Sequence, residues 1–160
     1  GLYSIRNSKP CKFNSMKHPF NQQACLERLK NEYDKYGKLI VAFDFDNTIY
    51  DFHKNGGDYS EVIDLLKECI KLEFDLILFT VDEDPDKVSE KVRWLVSNDL
   101  WNYKSSHFFV NTSPIFSRSR KPYYNILLDD RVGLEESYNI LKQVVDYANS
   151  KFSKLGEEWH

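Results

Sequence analysis

In the stretch LIVAFDFDNTIYD, an apolar run from Leu39 to Phe43 stops at two carboxylates, Asp44 and Asp46, set one residue apart. On an extended chain, side chains two apart share a face at about 6–7 Å. Like charges at that range, beside a hydrophobic core, push each other toward the neutral form unless a positive charge joins them. The pattern returns later: LILFT ends an apolar run at Thr80, and NILLDD ends another at Asp129 and Asp130. If these runs are neighbouring parallel strands, their loaded ends meet at one rim of the sheet, where open α/β sheets bind ligands. Up to four carboxylates, a hydroxyl and a nearby lysine, Lys121 in SRKP, make an oxygen-rich site for a hard cation. Oxygen-only donors in small number favour Mg2+, which keeps part of its water shell and bridges to phosphate.

The elements that must position these residues follow from apolar spacing. Asn21 is suited to cap a helix running to Tyr36, with Leu26, Leu29, Tyr33 and Tyr36 on one face and Gly37 as its stop. Strands are expected at Lys38 to Phe43, Phe74 to Phe79, His107 to Val110 and Tyr124 to Leu128. Ile49 to Asp58 contains Asn55-Gly56-Gly57 and reads as a short flap or hairpin beside the first strand. A helix starting at Asp58 or Ser60 places Val62, Ile63, Leu66, Cys69 and Ile70 inward. Asp84-Pro85 opens another, with Val88, Val92, Leu95 and Val96 on its apolar side. Thr112 to Pro122 is a loop, and Leu134 to Phe152 marks a long helix expected to end before Gly156. Strands that are apolar throughout, alternating with helices, indicate a mainly parallel sheet covered on both faces: an α/β, three-layer α/β/α Rossmann-like fold.

The 160 residues fit a single domain, with 1–37 as an N-terminal segment and helix, 38–130 as the core and 131–160 as the C-terminal helix. A net charge of −3 gives no basic field to recruit nucleic acid or an acidic membrane. Cys11, Cys25 and Cys69 are scattered and form no CxxC, which favours reduced thiols in the cytoplasm over a disulfide scaffold or zinc site. The first twenty residues carry no apolar core of signal-peptide length, and no stretch approaches a membrane span.

Taken together and in order, these motifs resemble the haloacid dehalogenase (HAD)-like superfamily of phosphotransfer enzymes. VAFDFDNT is similar to its first motif, LILFT to its second, the lysine of SRKP to its third and NILLDD to its fourth. The resemblance covers Leu39 to Asp130 and implies a phosphatase acting through an aspartyl-phosphate. It implies Asp44 as nucleophile and Asp46 as general acid and base, with Thr80 and Lys121 on the phosphoryl oxygens. Mg2+ would be held by Asp44, the Asp46 main-chain carbonyl and Asp129, with Asp130 acting directly or through water. Arg118 and Arg120 share the loop of Lys121 and compete for its role.

Each residue also has an ordinary reading: an Asp after a strand forms turns or caps helices, and Asp130 can pair with Arg131. Thr48 to Thr80 and Thr80 to Lys121 leave no room for the cap domain many relatives insert, so a small capless enzyme is expected. A nucleotide or sugar phosphate is the favoured substrate. A nucleic-acid end or a phosphoprotein at the open site, a phosphotransferase, and a weakly catalytic phosphate- or Mg2+-binding regulatory module are the alternatives. Oligomeric state is left open, including a partner subunit over the site.

Overall fold

The computed structural model describes residues 21–158. Helix α1, Gln22–Tyr36, begins where Asn21 Oδ1 accepts from the backbone N–H groups of Gln23 and Ala24 at 2.8 and 3.3 Å. It stops at Gly37, whose φ of 73° lets its N–H close onto the Tyr33 carbonyl at 2.7 Å. Strand β1, Ile40–Asp44, follows at once. Helix α2, Ser60–Lys71, precedes β2, Asp75–Phe79; α3, Pro85–Ser97, precedes β3, Phe108–Val110. Strand β4, Ile126–Leu128, leads into α4, Leu134–Glu158.

The sheet runs β3-β2-β1-β4 and every pairing is parallel. This is the Rossmann-like α/β architecture, a parallel sheet flanked by helices. Residues 49–58, expected as a flap or hairpin, hold no strand pair; Asp46 and Tyr50 instead form an isolated parallel bridge. The Asp51 carboxylate accepts from the N–H groups of Asn55 and Gly56 at 3.0 and 2.8 Å, so the glycine turn closes on a side chain. The last helix also departs from expectation. It runs through Gly156 to Glu158, because one glycine lowers helix propensity by only about 1 kcal/mol and does not end a helix unaided.

Alternate strand residues divide the core. Val41, Phe43, Leu76, Leu78 and Leu128 join one cluster with the buried residues of all four helices. Ile40, Ala42 and Ile77 face the other way, against Phe79, Phe109, Tyr124 and Leu127. Between β1 and α2, and between β2 and β4, no further domain is inserted. No helix among the described residues is long and apolar enough to cross a membrane. The expectations for residues 1–20, including Cys11, lie outside the described residues.

Candidate active site

Strand order makes a crevice before any side chain is considered. The chain steps outward from β1 to β2 to β3, then returns to place β4 on the opposite side of β1. The β1–β4 boundary is therefore the point where connections diverge, and a ligand cleft opens there at the carboxyl ends. Asp44 is the last residue of β1, and Asp129 and Asp130 directly follow β4. One carboxylate oxygen from each of Asp44, Asp129 and Asp130 lies within 4.8 Å of the other two. A hydrogen bond fixes that approach: buried Thr48 accepts from the Asp130 N–H through Oγ1 at 3.1 Å, tying the turn after β1 to the end of β4.

The turn itself bends sharply. Asn47 has φ 60°, and the N–H groups of Ile49 and Tyr50 both reach the Phe45 carbonyl at 3.1 Å. Asn tolerates this left-handed conformation better than most residues. The turn carries Asp46 away from the three-carboxylate group, so that its side chain faces Lys91, with Nζ 3.7 Å from Oδ2.

Lys91 is the residue that the motif spacing did not identify. It projects from α3, is only 15% exposed, and places Nζ 2.9 Å from Thr80 Oγ1 and 2.8 Å from Asp82 Oδ2. Positions 88, 91, 92 and 95 share one helix face. Val88 is half-buried, and Val92 and Leu95 are buried, so a lysine on this stripe was the available signal. Thr80, just past β2, stands where expected. Its backbone is held by Asn111, which accepts from the Thr80 N–H at 3.0 Å and donates to its carbonyl at 2.9 Å. Asn111 also escaped the sequence reading; it occupies the carboxyl end of β3, as Thr80 occupies that of β2.

A cavity of about 510 Å3 joins these groups, lined by Asp44, Asp46, Thr80, Lys91, Arg120 and Asp129, among others. Lys121 is not on its wall. That side chain is exposed and lines a separate depression with Phe116, Ser119 and Tyr123. Side chains of adjacent residues diverge in a loop, so Arg120 reaches the cleft and Lys121 does not. Asp130 makes no ion pair with Arg131 among the described residues, although both line the cavity.

Within the cleft the clustered carboxylates act against one another. Burial, then the Asp129 charge, with smaller contributions from Asp130 and Asp46, push the Asp44 carboxyl up to about 6; only the Phe45 backbone N–H opposes them. Such a donor set fits a hard divalent cation: all oxygen, drawn from two adjacent strands, and crowded enough that ionisation is penalised. Lys91 pulls Asp82 below the ordinary carboxylate value by hydrogen bonding to it. The cleft can thus bind an anion through Lys91, Arg120 and Thr80, and present it to the Asp44 carboxylate.

No family model matches this sequence, and no curated protein matches it. A solved structure of a conserved protein from Bacteroides thetaiotaomicron is similar in fold, with a TM-score of 0.51 at 25% identity over 66% of this chain and 91% of that one.

Proposed function

We propose that the protein is a Mg2+-dependent phosphomonoesterase of the HAD-like type, working through a covalent phosphate on Asp44. The observation that carries this reading is the meeting of Asp44, Asp129 and Asp130 within 4.8 Å at adjacent strand ends, opposite a nearly buried lysine bound to Thr80. When bound by Asp44, the Asp46 main-chain carbonyl, Asp129 and Asp130, Mg2+ supplies charge neutralisation to the phosphoryl oxygens.

Asp44 attacks phosphorus in line, forming an acyl-phosphate bond as the bond to the leaving oxygen breaks. Asp46 gives its proton to that oxygen and the alcohol departs. The Asp46 carboxylate then takes a proton from water, the water oxygen attacks phosphorus, and Asp44 is released together with inorganic phosphate. Thr80 and Lys91 hold the non-bridging oxygens throughout, with Arg120 at the cavity wall. The motif resemblance placed that positive charge on Lys121; the contacts of Lys91 make it the better candidate. A nucleotide or sugar phosphate is the favoured substrate, acted on in the cytoplasm.

The test is hydrolysis of para-nitrophenyl phosphate with Mg2+, with EDTA, and with Mg2+ restored. The reading expects activity that disappears and returns. Turnover unaffected by EDTA, or retained in Asp44→Asn, overturns it.

A further inference from the structure

Beside the carboxylate cleft lies a second cavity of about 430 Å3 that the phosphoryl chemistry does not use. Its walls are Phe45, Tyr50, Phe52 and Trp94, and it shares Asp46 and Lys91 with the first cavity. Three of the rings form a packed group. Phe45 stacks on Tyr50 with centroids 5.2 Å apart, and Trp94 meets both edge-on at 5.3 and 5.6 Å. Phe45 is buried, but Tyr50 is 36% exposed and Phe52 56%. Phe52 sits at the start of the turn that Asp51 closes through Asn55 and Gly56, which restricts how far its backbone can retreat. Tyr50 and Phe52 thus leave ring surface in water next to a reactive centre, where a flat ligand would cover it.

The position of Asp46 gives this pocket its meaning. A general acid must lie within hydrogen-bond reach of the leaving oxygen. In-line attack by Asp44 sends that oxygen, and the group attached to it, to the far side of the phosphorus. Asp46 lines both cavities, so a leaving group in contact with it extends out of the cleft and into the ring-lined pocket.

We infer that the ring-lined pocket receives the leaving group, and that it selects a neutral, aromatic-ring-bearing alcohol, making nucleoside monophosphates the preferred substrate class over sugar phosphates. This deepens the phosphatase reading and rests on it for the placement of the leaving oxygen. Flat bases stack on rings regardless of sequence, whereas a sugar needs several polar groups placed against its hydroxyls. Charge at the pocket supplies the second selection. Asp46, Asp82 and Glu90 stand there against Lys87 and Lys91, three acids to two lysines, so a further phosphate on the leaving group meets like charge. A mononucleotide is favoured over the end of a polymer for the same reason.

The test compares kcat/KM for AMP, UMP, glucose 6-phosphate, glycerol phosphate and a 5′-phosphorylated oligonucleotide, in wild type and in Phe52→Ala. Because Phe52 is exposed, its truncation leaves the fold standing, which a Tm measurement verifies. AMP and UMP are expected to exceed the sugar and glycerol phosphates by about 10-fold or more, and Phe52→Ala to cut that ratio by about 5-fold, mainly through KM. Equal kcat/KM across the panel, an oligonucleotide used as well as AMP, or a ratio unmoved by Phe52→Ala overturns the inference while leaving the phosphatase reading intact. A separate arm needs no turnover: ligand-observed NMR of adenosine and uridine with Asp44→Asn protein. Nucleoside binding that Phe52→Ala abolishes supports the pocket even if no phosphoester is hydrolysed, an outcome that would sink the phosphatase reading alone. Absence of nucleoside binding at millimolar concentration counts against the pocket.

Discussion

The central sheet treats the buried acid at its amino end and the three clustered acids at its carboxyl end in opposite ways. At the amino end, Asp75 opens β2, is 2% exposed, and faces a base at each oxygen. His107 Nδ1 lies at hydrogen-bond distance, 2.9 Å from Oδ1, and Lys38 Nζ stands 2.8 Å from Oδ2 as a charge contact without hydrogen-bond geometry. At the carboxyl end, Asp44, Asp129 and Asp130 crowd within 4.8 Å, and among the described residues none of them forms an ion pair. A buried acid with its own bases is a structural device, since removing either side strands a charge. Acids gathered without bases carry a standing repulsion, which the fold tolerates where a ligand brings the missing charge.

The strongest way to break this comparison is to neutralise one acid at the crowded end. Asp44→Asn should lower kcat by at least about 1,000-fold on para-nitrophenyl phosphate, because no side chain replaces the nucleophile. The same change should not harm the metal-free fold. Folding raises the Asp44 carboxyl from 3.8 to about 6, so the native state prefers it protonated. The associated stability is fully present below 3.8 and lost as pH rises through about 6. At pH 7.5 in EDTA, Asp44→Asn should therefore raise Tm, by about 2 °C once solvent screening of a half-exposed group is allowed for. A drop of several degrees would mean the carboxylate is a structural partner after all.

A second comparison sharpens the site's positive wall. Lys91→Ala should cost about 100-fold in kcat, as loss of a preorganised charge at a transferring phosphoryl group does. Lys121→Ala should change it less than about 3-fold, given that its side chain lines a different depression. The opposite ranking would return the phosphate-neutralising role to the loop lysine.

At the amino end the readout is stability. Asp75→Ala leaves His107 without its acceptor and Lys38 without its counter-charge and should cost about 2–3 kcal/mol, the half-exposed Lys38 recovering part of its hydration. Tm should fall by about 5–10 °C in a chain of this size, with kcat/KM at 25 °C unchanged. A Tm within 1–2 °C of wild type would show that the pair is no stronger than a surface contact.

How far each end was legible in the sequence follows from the same physics. Buried parallel strands are apolar from end to end, so the polar residue that terminates one stands out; Asp44, Thr80, Asp129 and Asp130 were all visible in this way. The turn chemistry of Asn21 and Gly37 gave the bounds of α1. Lys91 was not visible as a site residue, because α3 is marked in the sequence by its apolar members, Val88, Val92, Leu95 and Val96. Its role depends on where β2 ends in space relative to α3, which local spacing does not encode. The aromatic group of Phe45, Tyr50 and Trp94 was missed for a related reason: it joins a turn to a helix some 44 positions away, as the step from Tyr50 to Trp94 shows. Asp75 went unread as well, since its partners Lys38 and His107 come from either side of the strand in sequence.

The smallest effect belongs to an acid paired at the surface, where the comparison should nearly vanish. Asp34 on α1 accepts from Lys151 Nζ at 2.7 Å and from the Tyr147 hydroxyl at 2.8 Å, both on α4. The Lys151 hydrogen bond holds its carboxyl below the ordinary 3.8; burial is the next largest effect and opposes it, and the Tyr147 hydrogen bond adds to the lowering. A depressed carboxylate contributes stability that is present above 3.8 and lost as pH falls through its lower folded value. Asp34→Asn should therefore lower Tm by only about 1 °C at pH 7, because water screens both partners, and the gap between variant and wild type should close as pH falls through the lowered folded value. A gap that persists once the Asp34 carboxylate is protonated would assign the α1–α4 contact to packing around Tyr33 and Tyr147, whose rings meet edge-on at 6.1 Å, with the charge pair contributing nothing measurable.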